Sequence, residues 1–449
     1  MPEALTKTFY IKTMGCQMNV YDSDYLAQRL MAMGMSPVDR PAKADFVLIN
    51  TCTVRAKPEH KAATFIGRIS QLKKHKPHLI LGVIGCLAQH KGEELLKRFP
   101  AIDFAAGPRE IEKIAELVQS GALGKRKILA TSLDQPPPSL GIYNGYYKGK
   151  VTGFITIMQG CNNFCSYCIV PYVRGREVSR PPQDVIEEAK ALIDQGIRDI
   201  TLLGQNVNSY RWEEGGEIWT FPMLLKKVAG LPGLWRLRFT TSHPKDLSQE
   251  LIDCFGELDN LCPHIHLPFQ AGSDEVLKRM NRGYTRKQYM DLIQKLRLVR
   301  PEIAITSDVM VGFPGETRQD FEMTLDLIKL IEFDGLFSFK YSDRRGTLAA
   351  RFEDKVPEQE KSERLQLLQT IQKDITIKKN KSLEGKEVEV LIEGPSARGK
   401  QLSGRTGTNK IVNFNCDSSM IGRLVNVYIK VAYASSLIGE LREPLIESQ

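Results

Sequence analysis

The stretch VTGFITIMQGCNNFCSYC, Val151 to Cys168, decides how the chain is read. Its first half, GFITIMQG, is the apolar, β-branched run of a buried strand. Its second half sets Cys161, Cys165 and Cys168 in a C-x3-C-x2-C run directly after that strand, behind Gly160. Downstream, RDITLLG, WRLRFTT, HIHLPF, EIAITSDVM and GLFSFKYS read as five more strands. Apolar helices such as PQDVIEEAKALIDQG and QDFEMTLDLIKLIEF separate them. Six strand–helix units over residues 151–382 predict a partial (β/α)6 barrel rather than a complete eightfold one. A long polar helix, EQEKSERLQLLQTIQKDITIKKNKS, ends the block. The cysteine run then falls at the C-terminal face of the barrel, where such folds hold their active sites.

Upstream, residues 1–124 also alternate. FYIKTMG, ADFVLINT and HLILGVIG read as strands. DSDYLAQRLMAMG reads as a helix with Asp22 or Ser23 as its cap, Leu26 and Leu30 on one face and Gly34 at its stop. A second helix follows Pro58 and buries Phe65, Ile66, Ile69 and Leu72; REIEKIAELVQSG closes the unit. The pattern predicts a parallel α/β sheet of the Rossmann or flavodoxin type. Residues 125–150, with LDQPPPSLGIYNGYYKGK, read as a linker, since consecutive prolines cannot sit inside a regular element. A direct contact of its Tyr and Lys side chains with RNA is the alternative. From 383 to 446 the character changes. KEVEVLIEG, LSGRTGT, KIVNFN, RLVNVYIKVAYA and SSLIGELRE read as short strands of a small all-β barrel of the OB type.

Three domains suit a chain of 449 residues. Hydrophobic residues make up 42% and charged residues 26%, which excludes a largely disordered or membrane-spanning chain. No apolar run approaches the ~20 residues of a membrane helix. MPEALTKTFYIK lacks a secretory apolar core, so a cytoplasmic location is expected. The 62 Lys and Arg against 53 Asp and Glu leave a net charge of +9, which favours an acidic partner, nucleic acid being the commonest. Nine cysteines in a cytosolic chain are not expected to form structural disulfides and point to metal or redox work.

Cys161, Cys165 and Cys168 lie close enough in the chain to converge on one small object. Three thiolates without a nearby fourth Cys or His fit an iron–sulfur cluster with one unligated iron. A zinc site completed by a distant residue is the competing reading. Cys16, Cys52 and Cys86 each follow a predicted strand directly, in KTMGC, INTC and VIGC. Parallel strands share one carboxyl edge, so these three meet in space, and Gly15 and Gly85 let the backbone turn there. A second three-ligand cluster is one reading; three buried apolar cysteines is the other. Cys254, Cys262 and Cys416 show no such arrangement.

These motifs together resemble the radical S-adenosylmethionine (SAM) methylthiotransferase family. CNNFCSYC is similar to the radical SAM cluster loop, and QGCNNFCSYCIVPYVRGREVSRP, GCQMNVYDSD, INTCTVR and IGCLAQ to that family's cysteine segments. LLGQNVNSY, FTTSHP, HLPFQAGSD and VGFPGET fall at its barrel strand ends, and the last block resembles its TRAM domain. GCQMN, VPYVRGREVSRP and SGRTGTNKIVNF are similar to the branch that methylthiolates tRNA adenosine. In two places the chain departs from the family: Asp343 and Arg345 stand where it usually has prolines, and Pro58 soon after Cys52 is unusual.

The resemblance implies two 4Fe-4S clusters, one on Cys161, Cys165 and Cys168 and one on Cys16, Cys52 and Cys86. The open iron of the first chelates SAM, whose reductive cleavage gives a 5′-deoxyadenosyl radical. The second carries the sulfur, which one SAM methylates before a second SAM activates C2 of N6-(dimethylallyl)adenosine in the anticodon loop of tRNA. An aromatic C–H is inert to protein acids and bases, so cofactors must carry this chemistry. Gln205, Asn206, Gln270, Ser273, Gly312, Pro314 and Gly315 follow strands, where they would bind SAM or substrate; a polar cap on a βα loop is the plain alternative for each. His243 and His266 read as hydrogen-bonded barrel residues. In the TRAM-like barrel, Arg405, Lys410, Arg423 and Lys430 are candidate phosphate contacts, against a merely solvated basic surface. Expected partners are the tRNA anticodon stem-loop and a reducing donor such as flavodoxin or ferredoxin, with no membrane and a monomeric chain. The alternatives are a methylthiotransferase acting on threonylcarbamoyl adenosine or a ribosomal protein aspartate, and a non-catalytic RNA-binding redox sensor.

Overall fold

The computed structural model describes residues 7–53, 56–119, 127–134, 146–147, 149–397 and 399–444. The first domain is built on β1 (Thr8–Met14), β2 (Ser36–Pro37), β3 (Phe46–Thr51), β4 (Ile80–Ile84), β5 (Phe104–Ala106) and β6 (Ile128–Ala130). They form one sheet in the order β2-β1-β3-β4-β5-β6, every pair parallel. β3 is buried throughout, as a strand covered on both faces must be. Ile128–Ala130 lies inside the segment read as linker, yet pairs with β5 as the sixth strand. Three residues are too short for a periodic pattern to show. Most of the proline-rich remainder, 135–145, lies outside the described residues.

The first helix, α1, spans Gln17–Ala32 and starts five residues before the expected cap. Cys16 is its N-cap, in a capping box with Asn19. Asp22 and Ser23 are therefore interior and buried. Gly34 does follow the helix end, with a left-handed φ of 82°. The second helix, α2, covers Ala56–His75 and takes Pro58 into its first turn. Ile66 and Ile69 are buried on its inner face, with Phe65 and Leu72 packed beside them.

In the central domain the six expected strands appear as Thr152–Thr156, Asp199–Leu203, Arg236–Thr240, His264–His266, Ala304–Val311 and Gly335–Lys340. The first three form one parallel sheet and the last three another. A parallel bridge from Leu237 to Leu261 joins them into an open, curved half-barrel around one large apolar core. The hairpin Arg211–Glu214/Glu217–Thr220 was not read from the sequence, although its Gly215-Gly216 turn carries the expected hairpin chemistry.

The last domain is a closed five-stranded barrel of Glu387–Pro395, Leu402–Thr406, Ile411–Phe414, Leu424–Ala432 and Leu437–Pro444. It is pinned to the amino-terminal ends of the central strands. Arg238 reaches from its strand to the carbonyls of Thr406 and Gly407, each at 3.0 Å, while its Nε holds Asp199 at 2.9 Å. Arg236 pairs with Glu389 at 2.8 Å. No helix among the described residues is long and apolar enough to cross a membrane.

Candidate active site

β1, β3 and β4 are neighbours in the sheet, and Cys16, Cys52 and Cys86 follow their carboxyl ends. The sheet order reverses between β1 and β3, so this edge is the topological switch point where open α/β sheets bind ligands. The three thiols are brought close by tight packing. A Cβ on Gly15 would fall 2.3 Å from Oδ1 of Asn19 and 2.9 Å from Cβ of Cys52. One on Gly85 would meet Oδ1 of Asn50 at 2.4 Å, and Gly85 has φ 89°. Only glycine fits either place. Behind them, Asn19 and Asn50 are fully buried and bond to each other: Nδ2 of Asn19 donates to Oδ1 of Asn50 and Nδ2 of Asn50 donates to the Asn19 carbonyl, both at 2.9 Å. The hydrogen bond with Cys52, reinforced by the charge of Arg174, lowers the Cys16 thiol to about 6. Burial pushes Cys86 the other way.

Cys161, Cys165 and Cys168 lie on an irregular loop. Cys168 N donates to the Cys165 carbonyl at 2.9 Å, Cys161 N to the Gly175 carbonyl at 3.2 Å, and Ser166 N to the Met280 carbonyl at 3.0 Å. Burial raises Cys161 to about 11, and burial with the neighbouring Cys165 raises Cys168 to about 12. All nine cysteines are free. Cys254 and Cys262 are buried in the central domain, and Cys416 stands apart in the last.

One cavity of about 290 Å³ is lined by Cys16, Cys52 and Cys86 from one side and Cys161, Cys165 and Cys168 from the other. Two buried arginines stand at its wall. Arg174 donates from Nε to Sγ of Cys86 at 3.3 Å, and Arg282 donates to Sγ of Cys165 at 3.4 Å. Neither was singled out from the sequence, although Arg174 lies within the quoted VPYVRGREVSRP. Among the described residues, no three His, Cys, Asp or Glu close on a point that a single metal ion would fill.

Of the expected SAM or substrate residues, Gln205 and Gln270 line this cavity. Gln270 sits at φ 66° with its Oε1 buried and unpartnered. The others do not line it. Asn206 bonds Asp246 at 2.7 Å, and Ser273 bonds Asp320. Gly312 N donates to Glu316 at 2.6 Å, and Gly315 N to the Asp354 carbonyl at 2.8 Å. The Pro314 carbonyl accepts from Arg279 at 3.2 Å. Gly312 thus closes its own turn, whereas the other four tie their loops to distant segments of the chain. Ser242 and His243, from FTTSHP, line the cavity instead. His243 accepts at Nδ1 from Lys245 N at 3.2 Å, which leaves a proton on Nε2, buried and unpartnered. Burial, with Arg282 and Lys245 nearby, lowers it to about 2, so the ring is neutral at working pH. His266 bonds Thr306 at 3.1 Å and lies outside the cavity lining.

The four candidate phosphate contacts differ. Arg423 is exposed. Lys430 pairs with Glu440, and Arg405 with Glu393 at 3.2 Å. Lys410 is largely buried, bonded to Asp334 at 3.1 Å and Asn380 at 2.9 Å, and so pins the last domain rather than facing solvent. The loop with Asp343 and Arg345 reaches the first domain: the Arg345 carbonyl lies 3.1 Å from Nε2 of His90, and Arg344 lies 3.5 Å from Glu59. Asp343 accepts from the Tyr341 hydroxyl at 2.8 Å and from Lys355 at 2.6 Å, contacts a proline could not make.

Three family models match the chain in order: Uncharacterized protein family UPF0004 over residues 8–107, Radical SAM superfamily over 155–328 and TRAM domain over 381–441. A tRNA-2-methylthio-N(6)-dimethylallyladenosine synthase of Syntrophus aciditrophicus is 50% identical over 436 residues, covering 97% of this chain and 94% of that protein. One of the same name from Geobacter metallireducens is 48% identical, covering 97% and 98%. Among solved structures, the radical SAM methyltransferase TsrM of Kitasatospora setae superposes with a TM-score of 0.56 at 17% identity, covering 77% of each chain, a likeness of fold alone. Identity at this level over nearly the whole chain, together with the three matched segments, makes the chain a member of the radical SAM methylthiotransferase family.

Proposed function

We propose that this protein methylthiolates C2 of N6-(dimethylallyl)adenosine in the anticodon loop of tRNA. The observation that carries the reading is the single cavity with a trio of thiols on each side. The donor chemistry fits two iron–sulfur clusters, because each trio offers three thiolates and leaves one iron for an outside ligand. Cys161, Cys165 and Cys168 would hold one cluster, and Cys16, Cys52 and Cys86 the other. When bound, the clusters and SAM supply one-electron cleavage of SAM, radical C–H activation and the sulfur that is transferred.

The chain's own groups position and shield. Ser242 Oγ, Nε2–H of His243 and Oε1 of Gln270 are buried at the cavity wall without partners. An unpaired buried polar group is costly, so these three are ready to bind the polar groups of SAM or the base. A neutral His243 offers its proton without placing a cation beside SAM. Met18, Tyr167, Leu203, Met310 and Phe339 give the wall an apolar lining that excludes water. Gln205 accepts from Gly160 N at 2.5 Å and so fixes the start of the Cys161 loop.

The test is anaerobic reconstitution with iron counting. Wild type is expected to hold about eight irons, and a Cys16→Ala, Cys52→Ala, Cys86→Ala triple variant about four. The variant should still cleave SAM but form no methylthio product on prenylated tRNA. Mass spectrometry of tRNA nucleosides from a deletion strain checks the substrate. Persistence of the 2-methylthio group there would reject the assignment.

A further inference from the structure

Arg174 belongs to the central domain, yet it is spent on the first. It is 2% exposed, and its partner Asp22, in α1, is completely buried. One NH2 donates to Oδ2 of Asp22 at 2.7 Å, across a sequence separation of 152 residues. The Nε donates to Sγ of Cys86 at 3.3 Å. The remaining nitrogen and Oδ1 of Asp22 are buried and unpartnered. Burying a charged pair is expensive, and often no better for stability than apolar packing. A pair that also leaves two polar atoms unmet is poorly explained as interface glue. Its placement makes sense against a negative group: the guanidinium, not the carboxylate, is in hydrogen-bond contact with the thiol trio, and Arg174 lines the cavity. The central trio has a parallel device, since Arg282 is 5% exposed and donates to Cys165 at 3.4 Å. That arginine comes from the same domain as its trio. Arg174 does not, so the first domain's trio is incomplete until the two domains dock.

We propose that Arg174 is the positioning residue of the Cys16, Cys52, Cys86 centre: from the opposite domain it offsets the negative charge there and sets its reduction potential, with Asp22 as the counterweight that limits the effect. The proposal rests on the assignment of a cluster to that trio. Reduction adds an electron beside Arg174, so removing the cation must make reduction harder, and removing Asp22 must make it easier.

The experiment uses the full chain in a Cys161→Ala, Cys165→Ala, Cys168→Ala background, reconstituted anaerobically, so that only the first domain's centre titrates. Iron content is read first. If this background holds no iron, the cluster assignment itself fails. With iron retained, the midpoint potential is measured by electron paramagnetic resonance during redox titration. Arg174→Gln is expected to lower it by about tenfold in the equilibrium between the two forms, ~59 mV for one electron. Asp22→Asn is expected to raise it, and Arg174→Lys to lie between wild type and Arg174→Gln. Should Arg174→Gln alone not fold, the paired Asp22→Asn, Arg174→Gln variant, which buries no lone charge, is expected to keep its iron and to lie below Asp22→Asn in potential, by a net lowering from wild type smaller than that of Arg174→Gln, because the cation touching Cys86 outweighs the carboxylate behind it. A merely structural ion pair would lower the melting temperature of the variants and leave the potential of every folded one unchanged. That result overturns the proposal.

Discussion

Gly85 concentrates much of the first domain's chemistry in one residue. It has a left-handed φ of 89°, its Cβ position is filled by Oδ1 of Asn50, and the Thr51 carbonyl is 3.0 Å away. Gly85→Ala must move a buried asparagine that also supports Asn19 and, through it, the Cys16 cap. A loss of about 1–3 kcal/mol is expected from strain at such a position. Urea denaturation measures it, and iron counting should show the first domain's share lost while the rest is kept. His243 gives a pH-dependent prediction. Its folded value of about 2 lies below its ordinary 6.5, so the unfolded chain binds the proton more readily. His243 therefore makes the protein less stable as pH falls below 6.5, by up to about 1.4 kcal/mol per pH unit. His243→Gln should remove that slope between pH 6.5 and 4.5 in denaturant titrations, with little change at pH 8. The glycines and cysteines were legible in the sequence because their spacing follows strand ends. His243 was legible only as a barrel histidine, since its orphaned Nε2 depends on Lys245 and on the packing around it.

At the scale of elements, α1 shows where sequence reading stops. Asp22 in YDSD has the composition of a helix cap, and a cap is where an isolated Asp belongs. The helix instead begins at Cys16, because Asn19 closes a capping box there and Asp22 finds a partner in Arg174 from another domain. Local propensity loses to a contact 152 residues away, which no local window contains. The long apolar strands and helices, by contrast, were readable, because burial writes a period into each of them. The short strand Ile128–Ala130 was not, since it owes its place to pairing with β5. The joint between the central domain and the last barrel rests on single side chains in the same way. Arg238 is 7% exposed and holds Asp199 and two backbone carbonyls of the barrel. Arg238→Ala leaves Asp199 buried without its partner, a loss of about 3–5 kcal/mol by the precedent of broken buried pairs. Limited proteolysis should then cut near 383–387, between the long helix and the barrel, at protease levels that leave the wild type whole.

The whole molecule separates its cavity from its last barrel. The cavity lies at the carboxyl ends of the central strands, where Thr240 and Thr241 line it, while Arg236 and Arg238 fasten the barrel at the opposite end of the same strand. A substrate that touches both must therefore reach along the molecule, which suits a folded RNA stem-loop and not a free nucleoside. The base to be modified can be splayed from a single-stranded loop at modest cost, while the stem keeps its contacts elsewhere. The net charge of +9 provides long-range attraction for such a partner but no address. The address depends on which cations are free. Lys410 is tied to Asp334 and Asn380, whereas Arg423 is exposed. Arg423→Ala is thus expected to weaken binding of an anticodon stem-loop and to reduce the slope of log K against log salt by about 0.7–0.9, the loss of one phosphate contact. Lys410→Met, which keeps length but drops the charge, should leave that slope unchanged while lowering the resistance of the domain joint to proteolysis. Fluorescence anisotropy over a series of salt concentrations separates the two. A slope for Arg423→Ala equal to that of wild type would mean that the RNA does not meet the barrel at Arg423.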